Sequence, residues 1–175
     1  LAGYDFDIDG VHSLACPAFL FEPAKGAVTD ALIHKELGEN QEKPIVGFIL
    51  CGWNFLEGPF DKWPRDDKEY ILFAEAVEHL EKLGATVCLM SHSNGFIPGK
   101  KPFELIHGRD YPVTKQLEAI LIQRGIVQNF FVLNGVYDAW TTKAIIGNFD
   151  MLVSGRIHAA VAGLSQYVPT VIIDY

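Results

Sequence analysis

Little in this sequence would carry it across a membrane, onto nucleic acid or into an oxidising compartment. Its longest apolar runs, 45–51 and 168–173, fall far short of the ~20 residues a bilayer-spanning helix needs. No basic segment leading into an apolar one follows Leu1, so no signal peptide is expected. A first residue other than Met is compatible with a processed piece of a longer protein. Basic residues are scarce. Lys plus Arg total 14 against 22 Asp plus Glu, and the formal net charge of −8 opposes binding to polyanions and to anionic lipid. An anionic substrate must therefore be caught by local cations. Cysteine is sparse too: Cys16, Cys51 and Cys88 offer no C-x-x-C pair and no histidine at zinc-ligand spacing. They read as reduced thiols of a cytoplasmic protein, with the inner membrane surface left open as its place of work. Cys88 lies in an apolar strand pattern and reads as core filler, whereas Cys51 ends a strand, where a reactive role stays open.

Several common chemistries lack their residues. No G-x-G-x-x-G or G-x-x-x-x-G-K-[ST] follows an apolar run, G-x-S-x-G is absent, and the six histidines form no H-E-x-x-H. This argues against a nicotinamide-binding turn, a P-loop, a nucleophile elbow and a designed metal site. Asp5, Asp7, Asp9 and Gly10 begin like a calcium loop, but the twelfth place, which needs a bidentate Glu, holds Cys16, a poor calcium ligand. The same Asp7-Ile-Asp9-Gly-Val11 echoes a phosphatase nucleophile motif without the apolar strand that should precede it.

What the chain does have, from Lys43 onward, is four alternations of short apolar runs with amphipathic stretches, the pattern of parallel strands joined by crossover helices. Residues 44–51 read as a strand buried on both faces. Over 67–83, Tyr70, Phe73, Ala74, Val77, Leu80 and Leu83 recur at helical spacing before Gly84. A strand at 85–90 leads into a polar loop at 91–110, long enough to suggest a functional role. A helix at 113–124 with Leu117, Ile120 and Leu121 on one face precedes strands at 130–133, 150–153 and 169–173, with helices at 141–147 and from Ala159 to Leu164 between them. The fold class is thus α/β, a Rossmann-like parallel sheet with helices on both faces, residues 43–175 forming the domain and 1–42 a lead-in segment packing on it. Right-handed crossovers bring the loops 52–66, 91–110, 134–140 and 154–158 to one sheet edge, where ligands of such folds bind.

The last of these loops carries the most chemistry. Gly155 turns the chain, and Arg156, Ile157 and His158 open the following helix. Backbone N–H groups at a helix start favour anions, a guanidinium adds a bidentate clamp, and an imidazole moves protons near neutral pH. Spacing alone equally allows Arg156 to pair with a carboxylate such as Asp150 or Asp174, and His158 to cap or pack. Ser91, His92, Ser93 and Asn94 follow the second strand and reach the same edge, with Asp110 placed to steady their loop. Trp53, Trp63 and Trp140 also lie in edge loops, where they either stack on sugar rings or pack.

The run D-M-L-V-S-G-R-I-H-A-A-V-A-G-L-S-Q-Y-V-P-T-V-I-I-D-Y, residues 150–175, resembles the polysaccharide pyruvyl transferase pattern, in which an R-[LI]-H-A-A turn precedes an apolar helix and a V-P-x-[ILV]-x-[ILV]-D-Y strand. The resemblance covers roughly 43–175, and Cys16-Pro-Ala-Phe19 is similar to the family's P-D-x-A-F segment without its Asp. It implies one half of a two-domain GT-B architecture that transfers the pyruvyl group of phosphoenolpyruvate to two sugar hydroxyls as a ketal, in exopolysaccharide or cell-wall biosynthesis. Arg156 and His158 are then the catalytic pair. Gly155, Arg156, Ile157, Ser91, His92 and Asn94 contact substrate, no cofactor or metal is needed, and partners are a small-molecule donor and a saccharide acceptor, with a homo-oligomer left open. The family's further cationic residues and its acceptor domain have no counterpart in 1–175, which implies that this piece alone is inactive. A nucleotide-sugar glycosyltransferase or epimerase of the same architecture, and a catalytically silent glycan- or partner-binding homologue, are the competing readings.

Overall fold

A computed structural model describes residues 14–38, 42–54, 64–125 and 128–173, Trp53 by its backbone. The Asp5 to Val11 motifs, Trp63 and Asp174 lie outside the described residues. In chain order the elements are α1 (Ala27–Leu37), β1 (Ile45–Ile49), α2 (Ile71–Lys82), β2 (Thr86–Met90), β3 (Asn94–Phe96), β4 (Leu105–His107), α3 (Asp110–Gln123), β5 (Phe130–Leu133), α4 (Ala139–Ile146), β6 (Met151–Ser154), α5 (Ile157–Leu164) and β7 (Thr170–Ile172).

Strands β1 and β2 are buried residue for residue, as continuous apolar runs require when helices cover both faces of a sheet. Five parallel strands stand in the order β5-β2-β1-β6-β7. Alternate side chains feed two cores: Phe48, Leu50, Val87 and Leu89 meet α2 and α3 on one face, while Ile45, Ile49, Cys88 and Met90 meet α1, α4 and α5 on the other. Gly47, at the sheet centre, is required by packing, since a Cβ there would stand 2.3 Å from the Phe149 ring. The lead-in residues contribute directly, for Leu37 of α1 is fully buried in the second core. The α/β parallel architecture read from the sequence is the one found. Among the described residues, no helix is long and apolar enough to cross a membrane.

Several details differ from the sequence reading. Helix α3 begins at Asp110, not Val113, because Pro112 sits in the first turn, where its missing N–H would have had no intrahelical acceptor anyway. Helix α4 begins at Ala139, where the Asp138 carboxylate accepts the Thr141 N–H at 2.7 Å as an N-cap. The stretch 91–110 is not a plain loop but carries the antiparallel pair β3 and β4, with Asn94 opposite His107 and Phe96 opposite Leu105. Leu83, read as part of the apolar face of α2, is instead 71% exposed beyond the helix end.

Candidate functional site

The strand order reverses at β1, with β2 and β5 to one side and β6 and β7 to the other. The chain leaving β1 runs to α2 on one face of the sheet and the chain leaving β6 runs to α5 on the other, which marks the position where doubly wound folds bind ligands. Close backbone contacts hold the two loops together. The Gly155 N–H donates to the Ile49 carbonyl at 2.8 Å, the Cys51 thiol donates to the Gly155 carbonyl at 3.2 Å, and Asn54 Oδ1 accepts the Cys51 N–H at 2.9 Å. Gly155 has to be glycine, because a Cβ would fall 1.8 Å from Asn54 Oδ1. Cys51 is fully buried, so its thiol is a structural donor here, and Cys88 is likewise enclosed, burial pushing its pKa up and keeping it a neutral thiol.

Arg156 emerges from this turn in a fixed orientation. Its N–H donates to Ser154 Oγ at 3.1 Å, and the Ser154 hydroxyl donates to the Arg156 carbonyl at 2.9 Å. The guanidinium then grips Asp110 with two bonds, Nε to Oδ2 at 2.9 Å and Nη2 to Oδ1 at 2.5 Å. Asp110 is wholly buried at the start of α3, accepts the Ser93 N–H at 3.1 Å, and donates its own N–H to Ser93 Oγ at 3.1 Å. Among the described residues, Arg156 thus pairs with Asp110, whereas Asp150 accepts the Ile45 N–H at 2.7 Å. A bidentate pair with one partner fully buried is costly to break from one side, about 3–5 kcal/mol, so this contact both anchors the loop after β2 and aims Arg156.

His158 stands exposed two residues on. His92 is half-buried facing it: burial lowers its pKa to about 4, opposed by the Asp110 charge and helped by Arg156 and then His158. At neutral pH His92 is therefore uncharged and offers a lone pair. Ser91 is turned into its own loop, donating to the Ser93 carbonyl at 3.4 Å.

Two cavities meet here. The smaller, about 300 Å³, is polar and lies over the switch point between Gly52, Ser93, Gly95, Gly108, Arg109 and Arg156. The larger, about 730 Å³, is lined by His92 and His158 together with Phe21, Phe103, Tyr137 and Trp140, among others. Asn94 lines both, so the cavities adjoin at this residue, and its amide donates to the Tyr137 carbonyl at 2.5 Å. Of the residues singled out in the sequence, Arg156, His158, His92, Ser93, Asn94 and Trp140 line one or both of these cavities, whereas Gly155, Ile157 and Ser91 do not. Among the described residues, no group of three or more His, Cys, Asp or Glu is placed to hold a metal ion.

Arg109 and Lys143 were not anticipated. Arg109 directly precedes α3, after the hairpin of β3 and β4, and lines the smaller cavity with Arg156. Lys143 is buried, its ammonium donating to the carbonyls of Ala18 at 3.3 Å and of Phe21. The Ala24 N–H donates to the Trp140 carbonyl at 2.9 Å, so residues 18–24 are strapped along α4, and Phe21 packs on Trp140 with ring centroids 5.3 Å apart. A helical apolar pattern such as Ala139–Ile146 hides a lysine of this kind, because its partners are backbone atoms far off in sequence.

Residues 2–175 match the protein family described as polysaccharide pyruvyl transferase, a broader span than the 43–175 expected from the motifs. No curated protein and no solved structure matches the chain.

Proposed function

Since the chain belongs to the polysaccharide pyruvyl transferase family, we propose that it is the donor-binding half of a GT-B-type enzyme that moves the pyruvyl group of phosphoenolpyruvate onto two sugar hydroxyls, releasing phosphate. The observation that carries this reading is the polar switch-point cavity with Arg109 and Arg156 in its wall. Phosphoenolpyruvate presents a phosphate and a carboxylate. Two guanidinium groups beside glycine backbone match that pair, and Asp110 holds Arg156 preorganised for it.

His158, which lines the adjoining cavity that shares Asn94, is the proton donor in this scheme. It protonates the methylene carbon, so that C2 becomes electrophilic and one sugar hydroxyl adds there. The C2–O bond to phosphate then breaks, the second hydroxyl adds, and a ketal carrying a methyl and a carboxylate results. Of the two hydroxyl protons, one restores His158 and the other leaves on phosphate, so the reaction needs no further reagent. His92, neutral at working pH, accepts a hydrogen bond from a hydroxyl and leaves the acid role to His158.

Calorimetric titration of the full-length protein tests the reading. Phosphoenolpyruvate is expected to bind, about tenfold or more weakly in Arg156→Lys, which keeps the charge opposite Asp110 but loses the planar fork. His158→Gln should bind the donor normally and release no phosphate when acceptor is added. Heat with a uridine diphosphate sugar and none with phosphoenolpyruvate would overturn it.

A further inference from the structure

We propose that the larger cavity is a saccharide subsite, in which a pyranose ring lies against Trp140 with a hydroxyl directed at His158. The inference rests on the pyruvyl-transfer reading for the reaction it serves, but its own support is separate. Trp140 is 54% exposed and Phe103 72% exposed, and both turn into the cavity. Neither serves the hydrophobic cores. Phe103 is carried by the β3–β4 hairpin, where its ring meets Phe96 edge-on at 5.8 Å, and Trp140 is backed by Phe21. Two aromatic walls thus face one chamber.

The chemistry of that chamber selects its occupant. A donor bearing phosphate and carboxylate is a poor match, because the ammonium of Lys143 is already held by two backbone carbonyls and the walls are chiefly aromatic and aliphatic carbon. A sugar is amphipathic in the required way: its ring C–H face packs on an aromatic plane while its hydroxyls seek polar groups at the rim. Asn94, Asp138, His92 and His158 provide such groups. The volume of about 730 Å³ is within the range of small-molecule sites and admits more than one ring. Because Asn94 is shared with the polar cavity, a hydroxyl near His158 is also next to the donor's place. Part of acceptor recognition is therefore assigned to this half of the enzyme, with Trp140 and Phe103 as specificity-determining residues.

Saturation-transfer NMR on the full-length protein, with the methyl pyranosides of glucose, galactose and mannose as probes, tests the subsite. At least one probe is expected to receive saturation on its ring C–H protons. Affinity should fall about tenfold in Trp140→Ala and several-fold in Phe103→Ser, an exposed hairpin position that guards against a folding artefact. Phosphoenolpyruvate heat should be unchanged in both variants. The proposal is overturned if no pyranoside receives saturation, if the variants equal the wild type, or if phosphoenolpyruvate displaces the probe. Loss of pyranoside binding in Trp140→Ala, in a protein that gives no phosphoenolpyruvate heat, would keep the subsite and sink the donor assignment.

Discussion

His92 owes its low pKa first to burial, with Asp110 pulling the other way. A folded value of about 4 against an ordinary 6.5 means that the unfolded chain takes up the proton first as pH falls. The stability His92 allows is complete above pH 6.5 and drains away between 6.5 and 4. Discounted for solvent screening, the loss is about 2 kcal/mol. Urea unfolding at pH 7 and pH 4.5 should show the wild type losing more than His92→Gln over that interval; equal losses would show that His92 is not so enclosed. At this scale the sequence exposed part of the site. Arg156 and His158 stand next to a glycine turn and can be read as a pair, but the Asp110 that aims Arg156 is 46 residues away, and only the folded sheet brings it close.

At the scale of elements, the joint between the loops after β1 and β6 depends on the missing side chain of Gly155. In Gly155→Ala the new methyl must evict the Asn54 amide, stripping the Cys51 N–H of its acceptor. A cost of about 2–3 kcal/mol follows from overpacking and one orphaned buried donor, to be measured as a lower urea midpoint with an unchanged m-value. Removing the side chain that clashes, in Gly155→Ala/Asn54→Gly, should give back part of it. The parallel strands were legible because two-sided burial writes an unbroken apolar run, as in Ile45–Ile49 and Thr86–Met90. The hairpin of β3 and β4 was not, since Asn94-Gly-Phe96 and Leu105-Ile-His107 are three residues each, mostly exposed, and flanked by prolines and glycines that mimic a loop. Arg109, just after this illegible element, lines one cavity, and Phe103, within it, lines the other.

Across the whole molecule, the aromatic wall of the larger cavity is closed by residues 18–24, strapped to α4 through Lys143 and the Trp140 carbonyl. Lys143→Met keeps the apolar stem but leaves the carbonyls of Ala18 and Phe21 without their donor. We expect stability to fall by about 1–2 kcal/mol and amide exchange at Ala24 to quicken about tenfold or more. An unaltered exchange rate would show that the strap is held by other means. Nothing in residues 1–42 announces this arrangement, because its partners lie far along the chain. The Lys143 ammonium reaches back across 122 and 125 residues, which has a consequence during synthesis. Segment 18–24 leaves the ribosome before α4, yet its seat does not exist until α4 has followed it out. Strands β1, β2 and β5 can pair before α4 has been made, but this chamber cannot close until α4 is out, so a nascent chain halted before Lys143 would carry a partial sheet beside an unfinished cavity.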